Sequence, residues 1–212
     1  MIGVFGGTFD PVHNGHLRIA LELSQNLPFD SLHLIPSRQP PHREQPQASA
    51  KQRLKMLTLA INNEDNLRLD DRELQRDGPS YMVDTLTSLR AEYPQTPLCL
   101  IMGMDAFKGL KTWWHWEEIL TLSHILVVHR PGSTLSRTDH QHDEMIAIQD
   151  QHAIDDPAKL NQSLAGHIAF YPATQLEIAS SEIRRLCQAG KSVRYLLPDN
   201  VYQYIQQEQL YQ

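Results

Sequence analysis

Six short apolar runs, at residues 3–5, 32–36, 67–71, 98–102, 125–129 and 168–171, alternate along this chain with amphipathic stretches. The stretches cover residues 17–26, 52–62, 81–93, 116–122 and 181–189, with apolar positions recurring at helical spacing. Strands and helices in alternation imply crossover connections, which make neighbouring strands parallel. Parallel strands are covered on both faces, so they read as continuous hydrophobic segments, as these do. The expected fold class is α/β, a mostly parallel sheet with helices on both faces. The 212 residues suffice for a single domain spanning 1–212, with a helical portion at about 179–212 forming a C-terminal cap. In such sheets ligands bind beyond the carboxyl ends of the strands, so the residues after each run are where chemistry is expected.

The first run leads into Gly6-Gly7-Thr8-Phe9-Asp10-Pro11-Val12-His13-Asn14-Gly15-His16. Gly6 and Gly7 allow a sharp turn and a close approach of ligand to backbone. Leu17, Ile19, Ala20, Leu21 and Leu23 then supply the apolar face of a helix. A helix start carries unpaired N–H groups and the positive end of its dipole, so the junction suits a phosphate. His13 and His16, three residues apart, share a helical face beside it. No lysine follows these glycines as a P-loop requires, and glycines at positions 3, 6, 7 and 15 do not make Gly-x-Gly-x-x-Gly. A hydride-transferring dehydrogenase is thereby disfavoured. Local capping by Asp10, His13 and His16, or metal ligation by the same three, are the competing readings.

A net charge of −6 argues against a nonspecific nucleic-acid binder, so an anionic ligand must meet a local cluster of positive groups. No apolar stretch approaches the roughly 20 residues of a membrane helix, and the first residues lack a basic segment before a longer apolar core. A cytoplasmic protein is expected. Cys99 and Cys187 fall in apolar patterns and read as reduced, buried cysteines.

Further candidates follow the later runs. Ile35-Pro36-Ser37-Arg38-Gln39-Pro40-Pro41-His42-Arg43 must be an extended loop, and His42 and Arg43 bring positive charge to the edge that carries His13. Ser80 is placed to cap the helix carrying Val83, Leu86 and Leu89. Gly103 permits close approach, and Asp105 either accepts from a ribose hydroxyl or caps the following helix. Trp113, Trp114 and Trp116 cluster within four residues, where indole faces either pack or stack on a flat heteroaromatic ring. Arg130 ends the fifth run. Residues 133–165 read as a solvated helix-loop insertion, with His140, His142 and His152 at no metal-like spacing. Ser180 and Ser181 stand at a helix start where hydroxyls and free N–H groups could grip a triphosphate, with Arg184 one turn on.

Taken together, Gly6-Gly7-Thr8-Phe9-Asp10-Pro11 with His13-Asn14-Gly15-His16 resembles the signature of the nucleotidylyltransferase superfamily carrying a His-x-Gly-His motif. Within it the chain is most similar to the bacterial nicotinate-nucleotide adenylyltransferases. That likeness implies a Rossmann-like doubly wound sheet and an enzyme transferring AMP from ATP to nicotinate mononucleotide, releasing pyrophosphate in NAD biosynthesis. It implies catalytic roles for His13, His16 and Arg184, and an ATP-phosphate cradle of Gly6, Gly7, Thr8, Phe9, Gly103, Ser180 and Ser181. Contacts to the mononucleotide are implied for His42, Arg43, Met82, Thr85, Asp105, Trp113, Trp114 and Arg130. Trp113 would stack on the pyridine ring, and Met82 stands where relatives commonly have Thr, so a contact there would run through the backbone. Mg²⁺ is expected to arrive with ATP, since no carboxylate cluster suggests a protein cage. The partners expected are ATP and nicotinate mononucleotide, with no nucleic acid and no membrane. The motifs do not choose the acceptor, so nicotinamide mononucleotide and phosphopantetheine remain alternatives. A nonenzymatic nucleotide sensor and a metal-dependent hydrolase built on Asp10, His13 and His16 also remain.

Overall fold

The computed structural model describes residues 1–40, 45–129 and 143–212. All six apolar runs form strands of one parallel sheet: β1 (Ile2–Gly7), β2 (Ser31–Pro36), β3 (Leu67–Leu69), β4 (Leu98–Gly103), β5 (His124–His129) and β6 (Ile168–Pro172). Their order is β3-β2-β1-β4-β5-β6, so the chain winds outward from β1, returns, and winds the other way from β4. Winding direction therefore changes between β1 and β4, and there the two strands part. Their pairing ends at Val4 with Leu100, whereas β1 stays paired with β2 to Gly7 and β4 with β5 to Gly103. The last residues of β1 and β4 thus flank an opening, as expected at a topological switch point.

Side-chain alternation fills both faces of the sheet. From β4 and β5, Cys99, Ile101, Leu126 and Val128 join a buried cluster with Ala20 and Leu23 of α1 (Asn14–Asn26) and Met56 and Leu57 of α2 (Ala50–Ile61). The same cluster includes Ile183 of α8 (Ser180–Gln188) and Val201 and Ile205 of α9 (Asp199–Gln207). Leu98, Leu100, Met102, Ile125 and Val127 point the other way, onto Leu86 and Leu89 of α4 (Met82–Glu92), Phe107 of α5 (Met104–Lys108) and Ile119 of α6 (Trp116–Leu122). Met145 of α7 (Asp143–His152) joins that second cluster. A four-residue helix, α3 (Arg72–Gln75), follows β3.

Three local expectations need correction. The α4 cap is Tyr81, while the Ser80 hydroxyl accepts from the N–H groups of Arg38 at 2.8 Å and Gln39 at 3.4 Å. Ser80 therefore ties the loop after β2 to the approach of α4 instead of closing the helix. Cys99 is buried, but Cys187 is only half-buried on α8. The third strand stops at Leu69, and beyond it the Asp70 carboxylate accepts from the Arg72 N–H at 3.1 Å and opens the turn into α3.

Candidate active site

The opening between β1 and β4 is the mouth of a cleft of about 950 Å³. One wall is the β1–α1 junction. His13 holds extended backbone as the residue before α1, and its N–H donates to Nδ1 of His16 at 3.3 Å. The two imidazoles stack, with centroids 3.7 Å apart. Phe9, buried and in the left-handed region with φ of 50°, sets its ring edge against His16 at 5.1 Å. Gly15 makes room for this arrangement, because a β-carbon there would come within 3.0 Å of the His13 ring. The start of α1 is further tied down by Asn14, which donates from its backbone N–H to the Leu196 carbonyl and from Nδ2 to that of Tyr195.

Burial depresses the His13 pKa from 6.5 to about 4, so the ring is neutral near pH 7. Unfolding then takes up a proton between those values, and stability from this group is present above 6.5 and is lost as pH falls toward 4. Between pH 7 and pH 5 the wild type should lose about 2 kcal/mol more than a His13→Asn variant in urea titrations. Equal losses in the two proteins would mean that His13 is not desolvated.

A second wall comes from the start of α8. Ser180, Ser181 and Arg184 line the cleft together with Gly6, Gly7, Thr8 and the two histidines. The Ser180 hydroxyl donates to the Pro11 carbonyl at 3.0 Å, and Arg184 Nη1 donates to that of Asp10 at 2.7 Å. Beneath them Arg53 is 1% exposed and donates to the carbonyls of Thr8, Ala48 and Arg38 at 2.7, 3.3 and 3.4 Å. It fixes the turn after β1 from below.

The opposite end of the cleft is lined by Tyr81, Met82, Gly103, Asp105 and Trp113. Asp105 is exposed in the first turn of α5, whose N-cap is Gly103. A β-carbon on Gly103 would meet nothing within 4 Å, while one on Gly6 would stand 2.7 Å from Met82 Cε. Trp113 packs partly on the second core cluster and turns toward the cleft. Trp114 lies outside the cleft lining, 57% exposed and stacked on Tyr81 with centroids 5.6 Å apart. Thr85 is also outside it and fully buried, its hydroxyl donating to Glu73 Oε1 at 2.7 Å while Arg76 donates to it. A hydroxyl contact by Thr85 to a ligand would require breaking those bonds. His42, Arg43 and Arg130 lie outside the described residues.

Among the lining residues that sequence reasoning missed are Glu73 and Ser37. Glu73 is a buried carboxyl whose pKa burial raises, and its partners Ser80 and Thr85 lie seven and twelve residues on. Ser37 follows the second run, with its N–H donating to the Gly7 carbonyl at 2.9 Å. Among the described residues, four buried side-chain polar atoms lack a hydrogen-bond partner. Three of them, His13 Nδ1, Ser37 Oγ and Arg184 Nε, belong to residues lining this cleft. Buried polar groups are normally paired, so a concentration of unpaired ones marks a place built for a polar ligand.

A six-stranded parallel sheet in this order, with imidazoles, hydroxyls and a guanidinium converging at its switch point, defines an α/β nucleotidyltransferase. Residues 4–186 match the family model described as Cytidylyltransferase-like. The chain belongs to the nicotinate-nucleotide adenylyltransferase family. It is 46% identical over 212 residues to a Methylococcus capsulatus protein named "Probable nicotinate-nucleotide adenylyltransferase", covering all of this chain and 99% of that one. A Pseudomonas fluorescens protein of the same name is 47% identical over 211 residues, covering 99% and 96% of the two chains. The fold is that of the Plasmodium falciparum nicotinic acid mononucleotide adenylyltransferase complexed with NaAD, at a TM-score of 0.75 and 16% identity, covering 99% of this chain and 96% of that one. The same enzyme complexed with APC gives a TM-score of 0.72 at equal identity and coverage. No helix among the described residues is long and apolar enough to cross a membrane.

Proposed function

We propose that this enzyme transfers AMP from ATP to nicotinate mononucleotide, forming nicotinate adenine dinucleotide and pyrophosphate. The observation that carries the reading is that His13, Ser37 and Arg184, which line one cleft, each bury a side-chain polar atom with no hydrogen-bond partner. Family membership supports the choice of reaction. The acceptor phosphate is already anionic at neutral pH, so one of its oxygens can attack the α-phosphorus without a base. The new P–O bond forms as the bond from the α-phosphorus to the bridging oxygen breaks, and the electron pair leaves with pyrophosphate. What the chain must supply is alignment and donors where charge grows.

His16 is suited to that task. Its Nδ1 accepts from the His13 N–H, so the neutral ring carries its proton on Nε2. Neutral His13 adds polarity without net charge, and Arg184 with Ser180 and Ser181 would hold the β- and γ-phosphates. Gly6, Gly7, Thr8 and Phe9 would complete the cradle with backbone. Trp113 would stack on the pyridine ring, with Tyr81, Met82 and Asp105 around the mononucleotide.

Among the described residues no group of three or more His, Cys, Asp or Glu could hold a metal ion. The donor-rich phosphate wall fits a polyanion, so Mg²⁺ would ride on the ATP oxygens and water and supply charge neutralisation there. Pyrophosphate release with nicotinate mononucleotide should greatly exceed that with nicotinamide mononucleotide under the same conditions. Equal release with both would remove the acid preference, and release with neither would overturn the acceptor assignment.

A further inference from the structure

Tyr211 lies far from the cleft in sequence and does not line it, yet it reaches the cradle's support. It is 7% exposed, and its hydroxyl donates to Asp10 Oδ1 at 2.7 Å. Asp10 is itself 3% exposed, and its carboxylate also accepts from the N–H groups of Gln47 at 2.8 Å and Ala48 at 3.1 Å. Those three donors fix the carboxylate while Arg184 Nη1 stands 3.8 Å from Oδ2, bonded to the Asp10 carbonyl. Arg184 is therefore held by the Asp10 carbonyl and only loosely paired with its carboxylate. Its Nε is left without a partner. The balance depends on the donors around Asp10, because a carboxylate that loses one seeks another cation or N–H group.

We propose that Tyr211 is a positioning residue for ATP: by holding the Asp10 carboxylate, its hydroxyl keeps Arg184 available to the phosphates. This rests on the assignment of Arg184 to the phosphate end of ATP. Burial and the neighbouring Asp10 push the Tyr211 phenol upward, so it stays a neutral donor across the working range. Without the hydroxyl, the Asp10 carboxylate would tighten its loose pair with Arg184 and compete with the ligand.

The test is equilibrium binding of Mg-ATP by calorimetry, which does not depend on the acceptor. Tyr211→Phe keeps the ring and its packing, and should weaken Mg-ATP about five- to tenfold, with thermal unfolding followed in parallel to verify folding. In an Arg184→Lys background the same substitution should change affinity less than twofold, since residues acting through one another are not additive. Unchanged affinity in Tyr211→Phe, or an equal loss in both backgrounds, would overturn the proposal. A wild type that binds Mg-ATP but releases no pyrophosphate with nicotinate mononucleotide would overturn the acceptor reading and leave this one standing.

Discussion

Replacing His16 with alanine should lower kcat by roughly 10² or more while the KM for ATP changes much less, the signature of a donor that acts mainly on the transition state. The expectation comes from how rigidly the ring is held. Its Nδ1 takes the His13 N–H, one face lies on the His13 ring, and the Phe9 edge stands 5.1 Å away. The protonated Nε2 is thus oriented before substrate binds, and no reorganisation is needed as charge develops. His16→Gln returns an N–H without the ring and should recover only part of the rate. Steady-state kinetics on both variants decide the matter: near-normal turnover in His16→Ala would end the assignment.

Arg53→Met should cost about 3 kcal/mol or more of stability. In a chain of this size that corresponds to a fall in Tm of about 10 °C. Methionine nearly matches the arginine stem, so the loss would come from polar groups instead of a cavity. Three carbonyls, from Thr8, Ala48 and Arg38, would lose a donor supplied by a side chain that is 1% exposed. Asp10, whose charge opposes the depression that burial imposes on the Arg53 pKa, would lose that neighbour too. Thermal unfolding followed by circular dichroism measures the effect, and a Tm within about 2 °C of wild type would show that these bonds contribute little.

The architecture was legible because it depends on pattern. Each apolar run became a strand, and five amphipathic stretches became helices within a few residues of their expected ends. Helices of four or five residues, such as α3 and α5, complete too few turns to leave a periodic trace. The candidate site was legible where it is local: Gly6 to His16 and Ser180 to Arg184 each come from one string of sequence. Partnerships across the fold were not. Tyr211 is separated from Asp10 by 201 residues and Thr85 from Glu73 by 12, and no spacing announces either bond. Arg53 did leave a trace, since it shares the inward face of α2 with Met56 and Leu57, three and four positions on. A cation on an apolar stripe signals a buried anchor. Ser80 misled because the type of residue was right for a cap while the helix began two positions later.

The protein's three tryptophans all fall between residues 113 and 116, with Trp113 in the cleft lining and Trp114 stacked on Tyr81. Light absorbed by indole anywhere in this molecule is therefore absorbed, and re-emitted, at a single address. The chain carries its own optical probe, which senses the Trp113 end of the cleft and is blind to the remainder of the fold.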